Sequence, residues 1–193
     1  MRLFVAVTPP AGAVDELGSA VTGVRAAHPG LRWTRPEQWH LTLAFLGEVD
    51  ERTHADLTTR LARAAARHAP LRLALHGAGR FGDRVLWTRV TGDVAELKRL
   101  VASVQAAARR ARLPVEERPY RPHLTLARGR EGVALRPAVD ALAGFSGSTW
   151  SATQLHLVRS DLGAGPDRTS HHEVMATWPL GRPATDTGVG KLC

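Results

Sequence analysis

Trp39-His40-Leu41-Thr42-Leu43-Ala44-Phe45-Leu46-Gly47 has an echo at Arg121-Pro122-His123-Leu124-Thr125-Leu126-Ala127-Arg128, so that His-Leu-Thr-Leu occurs twice, 83 positions apart. Both copies lie in short apolar runs of strand-forming residues. In a strand, successive side chains point to opposite faces. His40 and Thr42 therefore share one face and Leu41 and Leu43 the other, and His123, Thr125, Leu124 and Leu126 repeat this. Each strand anchors itself by its leucines and presents an imidazole and a hydroxyl on its far side. A lone His-x-Thr carries no information, whereas two copies facing each other outline a catalytic cleft with two proton-transfer groups and two hydrogen-bond donors.

Outward from the two motifs, each half of the chain has the same ingredients. Leu3 to Val7 reads as a buried first strand, and Pro10 to about His28 has helical spacing through Val14, Leu17, Val21 and Val24. Asp50 to His68 is a helix with Leu57 and Leu61 on its apolar side. Leu71–Leu75 and Arg84–Val90 are strands with a turn over Gly79–Asp83, and Asp93 caps a long helix carrying Leu97, Leu100, Val101 and Val104. After the second motif come a brief helix near Pro137–Leu142 and strands over Thr149–Ser151, Gln154–Val158 and His172–Thr177. Gly163-Ala164-Gly165-Pro166 is the turn between the last two. This is a duplicated α+β pattern whose hairpin-length connections favour mainly antiparallel sheets flanked by helices. The expected organisation is one domain over residues 1–180 and a disordered tail over 181–193, where the sequence turns small, polar and aperiodic.

Composition narrows the function. At 193 residues, with 44% hydrophobic and 23% charged residues, the chain is an ordinary globular size and mixture. The formal net charge of +8 comes almost wholly from arginine, since Lys98 and Lys191 are the only lysines. Arginine's planar fork suits phosphate, which points to a polyanionic partner; genomic base composition gives the same arginine preference. Cys193 is the only cysteine, so no internal disulfide or thiolate metal site can form. The apolar start is too short for a signal peptide and no run approaches a membrane span, so a cytoplasmic protein without membrane contact is expected.

With these flanks the motif pair resembles the 2H phosphoesterase superfamily, and more closely its RNA 2′,3′-cyclic phosphodiesterase branch, historically called 2′-5′ RNA ligases. The resemblance runs to about Leu180 through Arg2-Leu3-Phe4-Val5-Ala6, Trp33, Phe45-Leu46-Gly47, Arg118-Pro119-Tyr120-Arg121-Pro122, Leu157-Val158-Arg159-Ser160 and Trp178-Pro179-Leu180. It implies a bilobal fold with pseudo-twofold symmetry and an active-site cleft between the lobes. It also implies hydrolysis of a 2′,3′-cyclic phosphate on RNA ends or nucleotides to the 2′-phosphate, with His40 as proton donor and His123 as proton acceptor. Two alternatives stand beside it: ATP-independent 2′-5′ RNA ligation as the reverse reaction, and a non-catalytic RNA-binding module.

The chemistry suits the residues. In-line opening of a cyclic phosphate needs an acid and a base on opposite sides of phosphorus, and histidine serves as either near neutral pH. Thr42 and Thr125 can donate to the phosphate oxygens where charge accumulates. No cofactor or metal is expected; His171 and His172, adjacent on a strand, point opposite ways and read as structural. Phe45 and Arg128, each five residues after a motif histidine, stand where the resembled family holds nucleobase and phosphate. Strict alternation turns both away from the cleft, so the strand ends must bend; core packing of Phe45 and solvation of Arg128 are the plain alternatives. Tyr120 and Arg121 are further rim residues. His28, His54, His68, His76 and His156 read as structural or solvated, and a monomer is expected.

Overall fold

Strand β1 (Arg2–Val7) is buried along both faces after its first residue, as befits a strand inside a sheet covered on each side. The structure, a computed structural model, describes residues 1–161, 163 and 170–181. Leu3, Val5 and Val7 enter the main core, whereas Phe4 and Ala6 join Val158 in a small separate cluster on the other face. That second cluster becomes the floor of the site.

The chain continues as α1 (Ala11–Ala27), β2 (Arg32–Trp33), a 3₁₀ turn (Pro36–Gln38), β3 (Leu41–Glu48), α2 (Glu51–Ala65), β4 (Leu71–Phe81), β5 (Val85–Gly92) and α3 (Val94–Arg110). Then follow β6 (His123–Arg128), α4 (Arg136–Ala141), β7 (Trp150–Ala152), β8 (Gln154–Asp161) and β9 (His171–Pro179). One sheet has the order β3-β1-β8-β9 and the other β2-β6-β5-β4-β7. Every pairing is antiparallel. The α+β architecture expected from the sequence is the one observed, with one motif strand in each sheet.

The duplication is β1-α1-β3-α2-β4 followed by β5-α3-β6-α4-β8, with β2, β7 and β9 added. Each unit sends its third strand to the other unit's sheet: β4 pairs with β5, and β8 pairs with β1. The sheets are therefore not the halves of the sequence. Local geometry favours this exchange, because β4 and β5 are joined by a three-residue turn and close a hairpin at small entropic cost.

Two expectations need adjusting. Strand β4 runs on to Phe81 rather than ending at Leu75, and the turn contracts to residues 82–84. An irregularity between His76 and Gly79, with Gly77 at φ +57°, interrupts the period of two that marks a strand in sequence. Asp50 caps α2 through the Thr53 N–H at 2.7 Å, as expected. Asp93 precedes α3 but gives that helix no side-chain cap; its carboxylate instead accepts the Arg72 N–H at 2.8 Å, tying the start of β4 to α3. Residues 182–193 of the expected tail and residues 164–166 of the expected turn lie outside the described residues. No helix among the described residues is long and apolar enough to cross a membrane.

Candidate active site

His40 stands just before β3 and His123 opens β6. Each ring is held in the same way. His40 Nδ1 lies 2.6 Å from the Gln38 carbonyl, and His123 Nδ1 lies 2.6 Å from the Arg121 carbonyl, two residues upstream in both cases. A carbonyl only accepts, so Nδ1 carries the proton and Nε2 of the neutral ring is left with a bare lone pair. The duplicated sequence thus produces two imidazoles in one tautomer.

Beyond the threonines both strands bulge at matching places. Thr42 lies opposite Ala6, Ala44 opposite Val5 and Phe45 opposite Phe4, with the register shifting between Val5 and Ala6. In the other sheet Thr125 lies opposite Trp87, Ala127 opposite Leu86 and Arg128 opposite Val85, with the shift between Leu86 and Trp87. Directly opposed residues share a face. The extra residue therefore returns Phe45 to the face of Thr42, and Arg128 to the face of Thr125, where an unbroken strand would turn them away. The bend that alternation alone would forbid is a β-bulge in each motif strand.

Thr34 ties the second bulge to the first motif. Its N–H bonds the Leu126 carbonyl at 2.8 Å, and its hydroxyl proton is shared between the carbonyls of Thr125 and Leu126 at 3.0 and 2.8 Å. That hydroxyl accepts the indole N–H of the buried Trp39, the residue before His40, at 2.9 Å. One hydroxyl thereby links the backbone of one motif to the neighbour of the other histidine.

Aromatic walls flank each imidazole. His40 lies 4.7 Å from the Phe4 ring and 5.3 Å, edge-on, from His172. His123 lies 4.9 Å, edge-on, from Phe81 and 6.1 Å from Trp87. A Cβ at Gly79 would overlap the Trp87 indole, so only glycine lets this ring lie across β4. Burial pulls His40 down to about 4, against the raising effect of the Gln38 carbonyl, and positive charge on His172 or His123 lowers it further. Burial likewise holds His123 below the ordinary imidazole range, opposed by the Arg121 carbonyl.

A cleft of about 530 Å³ opens beside these groups, lined among others by Thr42, Phe45, Phe81, Tyr120, Arg121 and His123. Phe45 is 64% exposed at its rim, which sets aside the core-packing alternative. The Tyr120 hydroxyl is buried with no hydrogen-bond partner among the described residues, and burial raises its pKa. Arg128 is exposed on the cleft face opposite Val85 and Arg32, outside the cleft lining.

His172 lies closer to the site than its place in the sequence suggests. Its ring packs against both Phe4, at 5.2 Å, and His40. Adjacent His171 and His172 do point apart, but the exchange of β8 into the β1 sheet carries β9 with it and brings one of the two to the cleft. The Gln38 side chain adds to this by donating to the Ser170 carbonyl, just before β9. His156 also has partners, lying between the Thr8 and Thr177 hydroxyls at 3.2 and 2.9 Å. Phe4, Trp87, Thr34 and His172 carry no motif, and only strand pairing brings them to the motifs.

The model of the 2′-5′ RNA ligase superfamily matches residues 11–164. Three curated bacterial relatives are each named RNA 2′,3′-cyclic phosphodiesterase. The Thermus thermophilus protein is 34% identical over 84% of this chain and 83% of its own length, and that of Escherichia coli 31% over 86% and 91%. The Geobacillus stearothermophilus protein is 31% identical over 97% of this chain, which spans only 60% of that relative's length. Among solved structures, a Thermus thermophilus protein matches with a TM-score of 0.74 at 29% identity, covering 94% of this chain and 99% of its own. The crystal structure of Escherichia coli LigT complexed with 3′-AMP matches with a TM-score of 0.74 at 26% identity, covering 93% and 97%.

Proposed function

The chain belongs to the 2′-5′ RNA ligase superfamily, and on that premise we propose that it hydrolyses 2′,3′-cyclic phosphates of RNA ends or nucleotides to 2′-phosphates. The observation that carries the proposal is the paired setting of His40 and His123, each with Nδ1 on a backbone carbonyl and each followed by a threonine and a bulge. The names of the curated relatives support the same substrate.

Water attacks phosphorus in line with the P–O3′ bond. His123 Nε2 takes the water proton, the P–O3′ bond breaks, and protonated His40 gives its Nε2 proton to O3′, leaving a 2′-phosphomonoester and a free 3′-hydroxyl. The settings of the two rings differ: His40 packs against Phe4 and His172, while His123, walled by Phe81 and Trp87, lines the open cleft from which an attacking water comes. Thr42 and Thr125 donate to the non-bridging oxygens. Phe45 offers a ring face to the base, and Tyr120 and Arg121 line the same cleft; Arg128 lies beyond it on the same face. The burial that pulls His40 down makes its imidazolium a strong acid, and the charge of the bound phosphate anion raises it so that the ring can hold the proton.

Among the described residues no three His, Cys, Asp or Glu side chains converge as a ligand set, so no step is routed through a metal. Purified protein is expected to open a 2′,3′-cyclic mononucleotide at the same rate with and without EDTA. Activity that vanishes in EDTA and returns only with a divalent ion would overturn the two-histidine mechanism.

The pH profile follows from the burial of both rings. Turnover needs one imidazole neutral and one protonated, so kcat/KM traces a bell whose limbs belong to the pair. Both groups lie below the reference imidazole value of about 6.5, with His40 pulled to about 4. The kcat/KM optimum is therefore expected on the acid side of that value. The kcat bell lies higher, because the phosphate anion raises both groups in the complex. A kcat/KM plateau extending above neutrality would show that only one group titrates.

A further inference from the structure

Register carries the catalytic face beyond the cleft. His123 lies directly opposite Arg89 on β5, Arg89 directly opposite His76 on β4, and His76 bridges to Ser146. Directly opposed residues share a face, so these four side chains form one row across the sheet. Leu124, Val90 and Leu75, on the opposite face of the same strands, are all buried, which locks the row outward. Arg89, His76 and Ser146 are exposed, as is Arg72, farther back on the same face of β4.

The charge of this row is uncompensated. Neither Arg89 nor Arg72 makes an ion pair among the described residues. Glu16, which reaches the loop at the row's far end, already accepts the Ser148 N–H and hydroxyl at 2.7 and 2.6 Å. Neighbouring strands lie ~4.8 Å apart, so Arg89 and His76 stand roughly one and two strand spacings from the catalytic imidazole. A cyclic mononucleotide carries one phosphate, which the reaction holds at His123, and brings no second phosphate for Arg89 or His76. A longer chain does, and its remaining charges are phosphodiesters.

We propose that the row Arg89–His76–Ser146 is a track for single-stranded RNA, holding the phosphodiesters that precede the cyclic end. The proposal rests on the reading of the cleft as a cyclic-phosphate site and names RNA chains, rather than free nucleotides, as the substrates that the protein binds best. Arg89 supplies a fork that grips a phosphate in two places, and His76 and Ser146 add hydrogen bonds farther along.

The test compares a 2′,3′-cyclic mononucleotide with an octaribonucleotide ending in a 2′,3′-cyclic phosphate, in the wild type, Arg89→Gln and Arg89→Gln/His76→Gln. Losing the charged fork of Arg89 is expected to raise KM for the octamer roughly 10-fold or more in Arg89→Gln, and further in the double variant. Mononucleotide kinetics should move less than about twofold, because Arg89 grips a phosphate which that substrate does not have. The slope of log kcat/KM against log salt should flatten by ~0.7 for each phosphate that the variant no longer holds. Equal changes for both substrates would mean that Arg89 acts only through His123, and no change for either would leave the row without RNA; both results overturn the track. In parallel, fluorescence anisotropy with an octaribonucleotide ending in a 2′-phosphate reads binding without turnover. If wild type opens neither cyclic substrate, the proposed reaction fails, and the anisotropy alone decides the track: weaker binding by the variants upholds it, equal binding overturns it.

Discussion

His40→Ala and His123→Ala are each expected to lower kcat ~10²–10⁴-fold on a 2′,3′-cyclic mononucleotide, the range of one general acid or base. Their effects on stability should differ. His40 packs between Phe4 and His172 and bonds the Gln38 carbonyl at 2.6 Å, so truncation removes these ring contacts and strands a partly buried acceptor, costing ~1–3 kcal/mol. His123 is the more open ring, and its Arg121 carbonyl can turn to water. Thermal unfolding should therefore show a lower Tm for His40→Ala than for His123→Ala, with both folded at 25 °C. His40→Gln, which keeps most of the volume, should regain stability without regaining rate. Thr42→Ala and Thr125→Ala each remove one hydrogen bond to a charged oxygen, ~1.5–3 kcal/mol, and should cost roughly 10–10²-fold. Near wild-type turnover in either histidine variant would mean that the proton-transfer pair is wrongly assigned.

A sulfur leaving group is expected to reverse most of the loss in one histidine variant and none of it in the other. A thiolate departs without a proton, whereas a ribose O3′ needs one. With a cyclic substrate carrying bridging sulfur at the 3′ position, His40→Ala should recover most of its ~10²–10⁴-fold deficit. His123→Ala should stay impaired, because water must still be deprotonated. The structural basis is the difference between two otherwise matched rings: His40 is closed in by Phe4 and His172 and stands outside the cleft lining, whereas His123, beside Phe81 and Trp87, lines the open cleft. Rescue of His123→Ala instead would exchange the two roles. Rescue of neither would mean that both imidazoles chiefly position the phosphate.

Much of the site is local in origin and was legible along the chain. The repeated His-Leu-Thr-Leu identified the two strands, because period-two alternation is a property of the backbone and needs no knowledge of what lies opposite. Residue pattern also located every α-helix among the described residues, and the two buried leucines of each motif marked its core face. The positions of Phe45 and Arg128 were only half legible. Alternation directed them away from the cleft, and the bulges that bring them back exist only against particular residues of β1 and β5.

By itself, then, the sequence determined the motif strands, the residue types that can move protons and hold phosphate, and the α+β duplication. Strand exchange decided the rest. With β8 paired to β1 and β9 to β8, His172 reaches His40 although 132 residues separate them in sequence. With β4 paired to β5 and β5 to β6, Arg89 and His76 line up behind His123. Thr34 meets the second bulge because β2 joins the far edge of that sheet. Such neighbours leave no periodic trace, because pairing between distant strands depends on which edge remains open once local hairpins have closed. The electrostatics of the histidines is tertiary for the same reason: it is burial beneath Phe4, His172, Phe81 and Trp87 that pulls two ordinary imidazoles below their usual range.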